Sequence, residues 1–176
     1  MNQQIVVSDA GPLLALAKLE ALDLLARLYH VVNTSPIVFD ETVTQGLALN
    51  AADASLLRES FDNGVLAITA VQSSNALNEP IKIHGGERES IQLAIQLHAT
   101  EYLVDDSRAR RIAEQNFSVA LPSAIVRGTL GIIYLSFQQG YLPREHAIQL
   151  LETLKLRRDI WISTRLCDKV LRLVRT

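Results

Sequence analysis

A three-layer α/β/α sandwich around a mainly parallel central sheet, extended by C-terminal helices, is the fold class this sequence predicts. Short β-branched runs alternate with stretches whose apolar residues recur at helical spacing. The runs give way at Gly, Pro or acidic turns, and the last third reads as consecutive helices. Because a parallel crossover is right-handed in nearly all cases, the alternation places helices on both faces of the sheet.

Taken in order, QIVVS (residues 4–8) is a β-branched strand ended by Asp9, Gly11 and Pro12, and LLALAKLEALDLLARL from Leu13 shows helical periodicity. His30, Val31 and Val32 read as a second strand. Ser35 and Pro36 then offer an N-cap and an N1 proline for a helix through about Thr44, with Glu41 inside it. A helix from Asn50 or Ala51 ends near Asn63 and Gly64, and VLAITAV from Val65 follows as a strand. Ser73 to Gly86 reads as a loop. From Gly86, ERESIQLAIQLHA is an amphipathic helix, EYLVDD a strand, SRARRIAEQN a basic helix with Ser107 as candidate cap, and FSVAL another short strand. Three further helices run from Ser123 or Thr129 to Gln139, from Arg144 to about Leu156, and from Ser163 to Arg175.

Length and composition bound the remaining choices. A chain of 176 residues can bury roughly 68–70% of its unfolded surface, so we expect one domain over residues 1–176, with residues from about 140 as its helical extension. Hydrophobic residues at 48% and charged residues at 20% argue against disorder. The single cysteine, Cys167, has no disulfide partner, and no Cys/His group has zinc spacing. Without a signal-like N-terminus or a run long enough to span a bilayer, the expectation is a soluble, cytoplasmic protein with no membrane role. Charge is split: residues 1–90 carry 5 basic and 11 acidic side chains, residues 91–176 carry 12 and 8. An acidic half that could bind metal beside a basic half that could neutralise phosphates suits an enzyme acting on nucleic acid.

Acidic residues carry most of the functional signal. Asp9, Glu41, Glu87 and the Asp105–Asp106 pair each lie where a strand or tight turn gives way to a helix, at the rim where α/β sheets place their sites. Each has an ordinary structural role available: Asp9 as a turn or cap residue, Glu41 on a solvated helix face, Glu87 and Glu89 offsetting a helix dipole, and Asp106 capping the next helix. Together, carboxylates without basic partners raise one another's pKa and make sense mainly around divalent cations. Phosphodiester cleavage by two metal ions needs such hard oxygen ligands around Mg²⁺ or Mn²⁺. Arg108, Arg110 and Arg111 could steer a phosphate backbone or simply form a solvated helix face. Phosphate-loop and nucleophilic-triad readings fail for want of their motifs. Trp161 reads as a packing anchor, and the last helix as core or a partner surface.

In order and context, VVSDAGPLLALAKL, ETV, GGERESIQLA, LVDDSRARRIA and RGTLGII resemble the PIN-domain nucleases over about residues 5 to 135. The resemblance implies that Asp9, Glu41, Glu87 and either Asp105 or Asp106 are metal ligands. It also implies Mg²⁺- or Mn²⁺-dependent cleavage of RNA or another single-stranded nucleic acid, and places Thr129 near the site. Many small bacterial members are toxins held by an antitoxin and commonly pair, so a toxin-like branch, an antitoxin partner and a homodimer are implied too. A helical Asp at the third position in many PIN domains is here replaced by Glu87 after two glycines, with Glu89 as its rival. An inactive PIN-like scaffold binding RNA or a protein is the alternative.

Overall fold

The computed structural model describes residues 4–72, 77–78 and 82–176. In the first half, β1 (Val6–Ser8) leads into α1 (Ala10–Lys18) and α2 (Asp23–Leu28). β2 (Val32–Thr34) leads into α3 (Pro36–Phe39), a π-helical turn over Asp40–Thr44 and α4 (Gln45–Ala48). α5 (Ala52–Asp62) then returns the chain to β3 (Leu66–Ile68). The second half runs α6 (Gly85–Gln96), β4 (Glu101–Leu103), α7 (Ser107–Ala120), β5 (Ile125–Arg127), α8 (Thr129–Gln138), α9 (Arg144–Leu156) and α10 (Thr164–Arg175).

All described pairings in the sheet are parallel, in the order β3-β2-β1-β4-β5. The chain therefore builds outward from β1 to one edge, crosses back to β4 and builds to the other edge. Connections leave β1 and β4 toward opposite faces, and a crevice opens at the carboxyl ends of those two strands. Ser8 pairs with Leu103, and the Asp9 amide donates to the Leu103 carbonyl at 2.9 Å. That register brings Asp9 and Asp105 to the carboxyl ends of the adjacent strands β1 and β4.

Strand alternation fills two cores. Val6, Val32 and Leu103 point into one, built with Leu13, Leu16, Leu25, Ile132 and Ile133; Val7, Tyr102 and Val104 point into the other, with Ile91, Leu93, Ala109 and Ile112. Each fully buried aliphatic side chain stabilises the fold by about 1.5–3 kcal/mol relative to exposure. The C-terminal helices join the first core through Leu151, Leu154, Cys167 and Val174.

Several elements differ from the sequence expectation. The apolar stretch after Pro12 is two helices: Glu20 takes a left-handed conformation (φ 54°), and the Ala21 amide closes the turn on the Leu16 carbonyl at 2.9 Å. FSVAL is not a strand. Ala109, Ile112, Ala113 and Phe117 bury one continuous helical stripe, so α7 runs on to Ala120 and leaves Val119 in solvent. The fifth strand is instead Ile125–Arg127, just before α8. The second strand lies later than expected, at Val32–Thr34, and the helix from Pro36 passes through its π turn and on to Ala48. Of the expected loop from Ser73 to Gly86, residues 73–76 and 79–81 lie outside the described residues, while Gly85 and Gly86 already belong to α6. Among the described residues no helix is long and apolar enough to cross a membrane.

Candidate functional site

Asp9 leaves β1 in an extended conformation and caps the start of α1, with its side chain only 5% exposed. Burial pushes its carboxyl up to about 7, and the charges of Glu87 and Glu41 push the same way, against the Ala10 and Gly11 amides. Its strongest charged neighbours are thus two further anions. Three of the sequence-predicted acids influence one another here across three different elements.

Glu41 reaches this group from the π turn, a local widening of the helix of a kind often found at functional sites. Its carboxylate lies over the start of α6: a Cβ built on Gly86 would sit 2.8 Å from Oε2 and 3.1 Å from Oε1. Only glycine admits so close an approach without moving the carboxylate. Exposed overall, Glu41 is still pushed up by desolvation of its covered side and by Glu87, Asp40 and Glu89, with the His84 charge opposing. Glu87, at the third position of α6, accepts from the His84 amide at 2.8 Å and so closes a capping box. Its rival Glu89 accepts from the Ile37 amide at 3.1 Å, tying α6 to α3.

The adjacent aspartates divide their work. Asp106 is exposed and caps α7, accepting from the Arg108 and Ala109 amides at 2.7 and 2.9 Å. Asp105 turns inward beside Gly11, whose Cβ would lie 3.5 Å from the Asp105 Cβ. There it accepts from the Thr129 amide at 2.8 Å and the Thr129 hydroxyl at 2.6 Å, so it serves as a cap for α8 from a distant strand. Desolvation raises its pKa, while the Thr129 bonds and Arg110 restrain the rise. Its side chain also sits 2.7 Å from the position a Gly128 Cβ would occupy.

The three candidate arginines separate as well. Arg108 and Arg111 are exposed on α7. Arg110 folds back across the sheet end, donating to the Val126 and Val104 carbonyls, each at 2.9 Å, with Glu114 as ion-pair partner at 3.8 Å. Thr129 is fully buried against Asp105.

The all-oxygen, anionic donor set suits a hard divalent cation, and a buried carboxylate beside two other anions is the electrostatic problem such an ion would relieve. Among the described residues no three carboxylate, histidine or cysteine side chains are gathered closely enough to hold an ion together. The acidic residues share a rim without forming a complete ligand group.

Two cavities flank the Asp105–Asp106 end of this rim, of about 400 Å³ on the α1 side and about 530 Å³ on the α10 side. Trp161 lines both and is 93% exposed, the reverse of the packing role expected from sequence. Its neighbour Ile160 is buried, and that alternation in Ile-Trp-Ile is the signal that could have found it. Lys18 and Lys169, which line one cavity each, also carried no sequence signal.

Comparison with known proteins gives a family model described as a PIN domain, matching residues 5–176. No curated protein and no solved structure matches the chain.

Proposed function

Because this chain belongs to the PIN-domain family, whose members are typically nucleases that use divalent metals, we propose that it is an endoribonuclease dependent on Mg²⁺ or Mn²⁺. The observation that carries the reading is Asp9: a carboxylate held 5% exposed at the sheet's crevice, pushed up to about 7, with Glu87 and Glu41 as its charged company. A purely structural cap at that position would be expected to find a cation or open solvent. Asp9, Glu41, Glu87 and the inward-turned Asp105 are the residues proposed to hold the metal. When bound, it supplies the Lewis acidity that turns water into a nucleophile and offsets charge on the phosphate.

The chain's own part is positional. Gly86 lets the Glu41 carboxylate rest against the start of α6, and Asp105 packs against Gly11. Thr129 fixes the Asp105 carboxylate through both oxygens, which limits the reorganisation needed when phosphate arrives. Exposed Arg108 and Arg111 on α7 are the residues proposed to meet backbone phosphates.

The alternative, a PIN-like scaffold that binds RNA without cutting it, draws on the absence of a complete ligand group among the described residues. Cleavage of single-stranded RNA by wild type and Asp9→Asn, titrated with Mn²⁺ and Mg²⁺, separates the two. The enzyme reading expects metal-dependent cleavage that the substitution abolishes; RNA binding with no turnover at any metal concentration establishes the scaffold. A toxin role with an antitoxin partner, and a homodimer, extend this proposal by family resemblance. Co-purification with the product of an adjacent gene and the mass in solution are their respective tests.

A further inference from the structure

The geometry points to a stacking subsite for an unpaired nucleobase on the indole of Trp161, between the two cavities and next to the Asp105–Asp106 end of the rim. It rests on the proposed RNA-directed function for the identity of the ligand, and on separate observations for its place. Trp161 follows the last turn of the chain between α9 and α10, and its neighbour Ile160 anchors that turn in the core. The Lys18 ammonium binds the Asp159 carbonyl at 2.9 Å, and the Arg157 guanidinium grips both Asp159 carboxylate oxygens, at 2.9 and 2.7 Å. The backbone leading into the indole is therefore tied down while the ring stays in solvent.

Leaving an indole 93% exposed on a pinned turn forgoes the burial that aromatic side chains ordinarily gain. The surroundings suit a nucleic acid better than an apolar protein surface. On the α10 side the cavity combines Ile162, Leu166 and Val170 with Lys169, Arg110 and Ser163, and the Asp105–Asp106 pair lines its rim end. Arg158, Arg165 and Lys169 are exposed and carry no ion pair among the described residues. Between residues 157 and 172 there are five basic and two acidic side chains. An aromatic platform with an uncommitted cation in the same cavity, Lys169, and others close by in the chain is a combination that holds single strands: the ring takes a base face and the cations take the flanking phosphates. A second copy of the chain, meeting this face about a two-fold axis, would set the same cations against one another.

Trp161 is the chain's single tryptophan, so its fluorescence reports this position alone. The probe is a short single-stranded oligoadenylate, titrated into the full chain with a metal chelator present so that cleavage plays no part. The expected result is saturable quenching of Trp161, absent with an abasic strand of equal phosphate number and with a blunt duplex. Trp161→Ala should weaken binding, read by anisotropy of the labelled strand, about 5- to 160-fold, the range of one lost base stack, and Trp161→Phe should restore most of it. Because the side chain is exposed, the thermal transition of both variants should match wild type. Equal quenching by the abasic strand, unchanged affinity in Trp161→Ala, or no binding at all would overturn the subsite. So would an emission shift that grows with protein concentration without RNA, which would assign the indole to a protein contact. Trp161-dependent binding without metal-dependent cleavage supports the subsite and removes the nuclease reading; cleavage and binding indifferent to Trp161 do the reverse.

Discussion

Replacing Asp9 by Asn should stabilise the protein, and by an amount that grows with pH. In the folded chain the carboxyl is raised from 3.8 to about 7, chiefly by burial. Between those values the folded state retains a proton that the unfolded state has released, so unfolding becomes easier as pH rises through the window. Below about pH 4 both states are protonated and the contribution vanishes. Linkage gives on the order of 3 kcal/mol of destabilisation at pH 6 and on the order of 4 kcal/mol at pH 8. Asn keeps the shape and cannot ionise, so the stability gap between variant and wild type should be small near pH 4 and reach these values at the higher pH. Urea denaturation of both proteins in the presence of a chelator, with slopes compared to confirm that only stability changes, reads the gap directly. A gap independent of pH, or one in which wild type gains on the variant as pH rises, would refute the claim that Asp9 is held as an uncompensated buried anion.

Other outcomes follow from the same rim. At pH 8, Mn²⁺ at a hundred times its dissociation constant should stabilise wild type by about 2.7 kcal/mol and leave Asp9→Asn unmoved in the same denaturation assay. Gly86→Ala sets a methyl 2.8 Å from the Glu41 carboxylate, a flexible end that can swing away. Cleavage should therefore fall at least about tenfold, since a displacement of about 1 Å in a site can cost far more, while the thermal transition barely shifts. Asp106→Ala removes the α7 cap, for about 1 kcal/mol of stability, and should leave cleavage standing, whereas Asp105→Asn should abolish it. Thr129→Val deletes the hydroxyl that donates to Asp105 at 2.6 Å and should cost about 1.5–3 kcal/mol, measured by calorimetry.

Legibility in the sequence followed the range of the forces involved. β1, β3 and β4 were readable because β-branched residues bounded by turns leave few other options, and strand-helix alternation then dictated a parallel sheet. FSVAL misled because Phe117 and Val119 have strand propensity, while the buried stripe from Ala109 to Phe117 decides the matter through contacts with the sheet. The positions of Asp9, Glu41, Glu87 and Asp105 at element junctions were visible; their partners were not. Asp105 and Asp106 are chemically identical neighbours, and only the backbone direction sends one to Thr129 and the other to the α7 amides. Arg110 looked like its neighbours on a basic helix, yet its partners are carbonyls of β5 and the residue after β4, contacts that no local pattern encodes. Trp161 was misjudged because aromatic residues usually anchor cores, and the turn that holds it outward is fastened by Lys18, far away in the chain.

The π turn at Asp40–Thr44 makes spacing, as well as identity, a constraint on this chain. A helix with one surplus residue is wound out of step, and it stays so only while its surroundings insist. Removing that surplus residue would let the segment from Pro36 to Ala48 relax into an evenly wound rod whose two ends keep their places, and the side chains inside the turn, Glu41 among them, would change direction. Such a shortened protein could fold more comfortably than its parent and yet aim Glu41 at empty solvent, so loss of one codon in this stretch would be silent to a stability screen and plain only to an assay of the proposed cleavage.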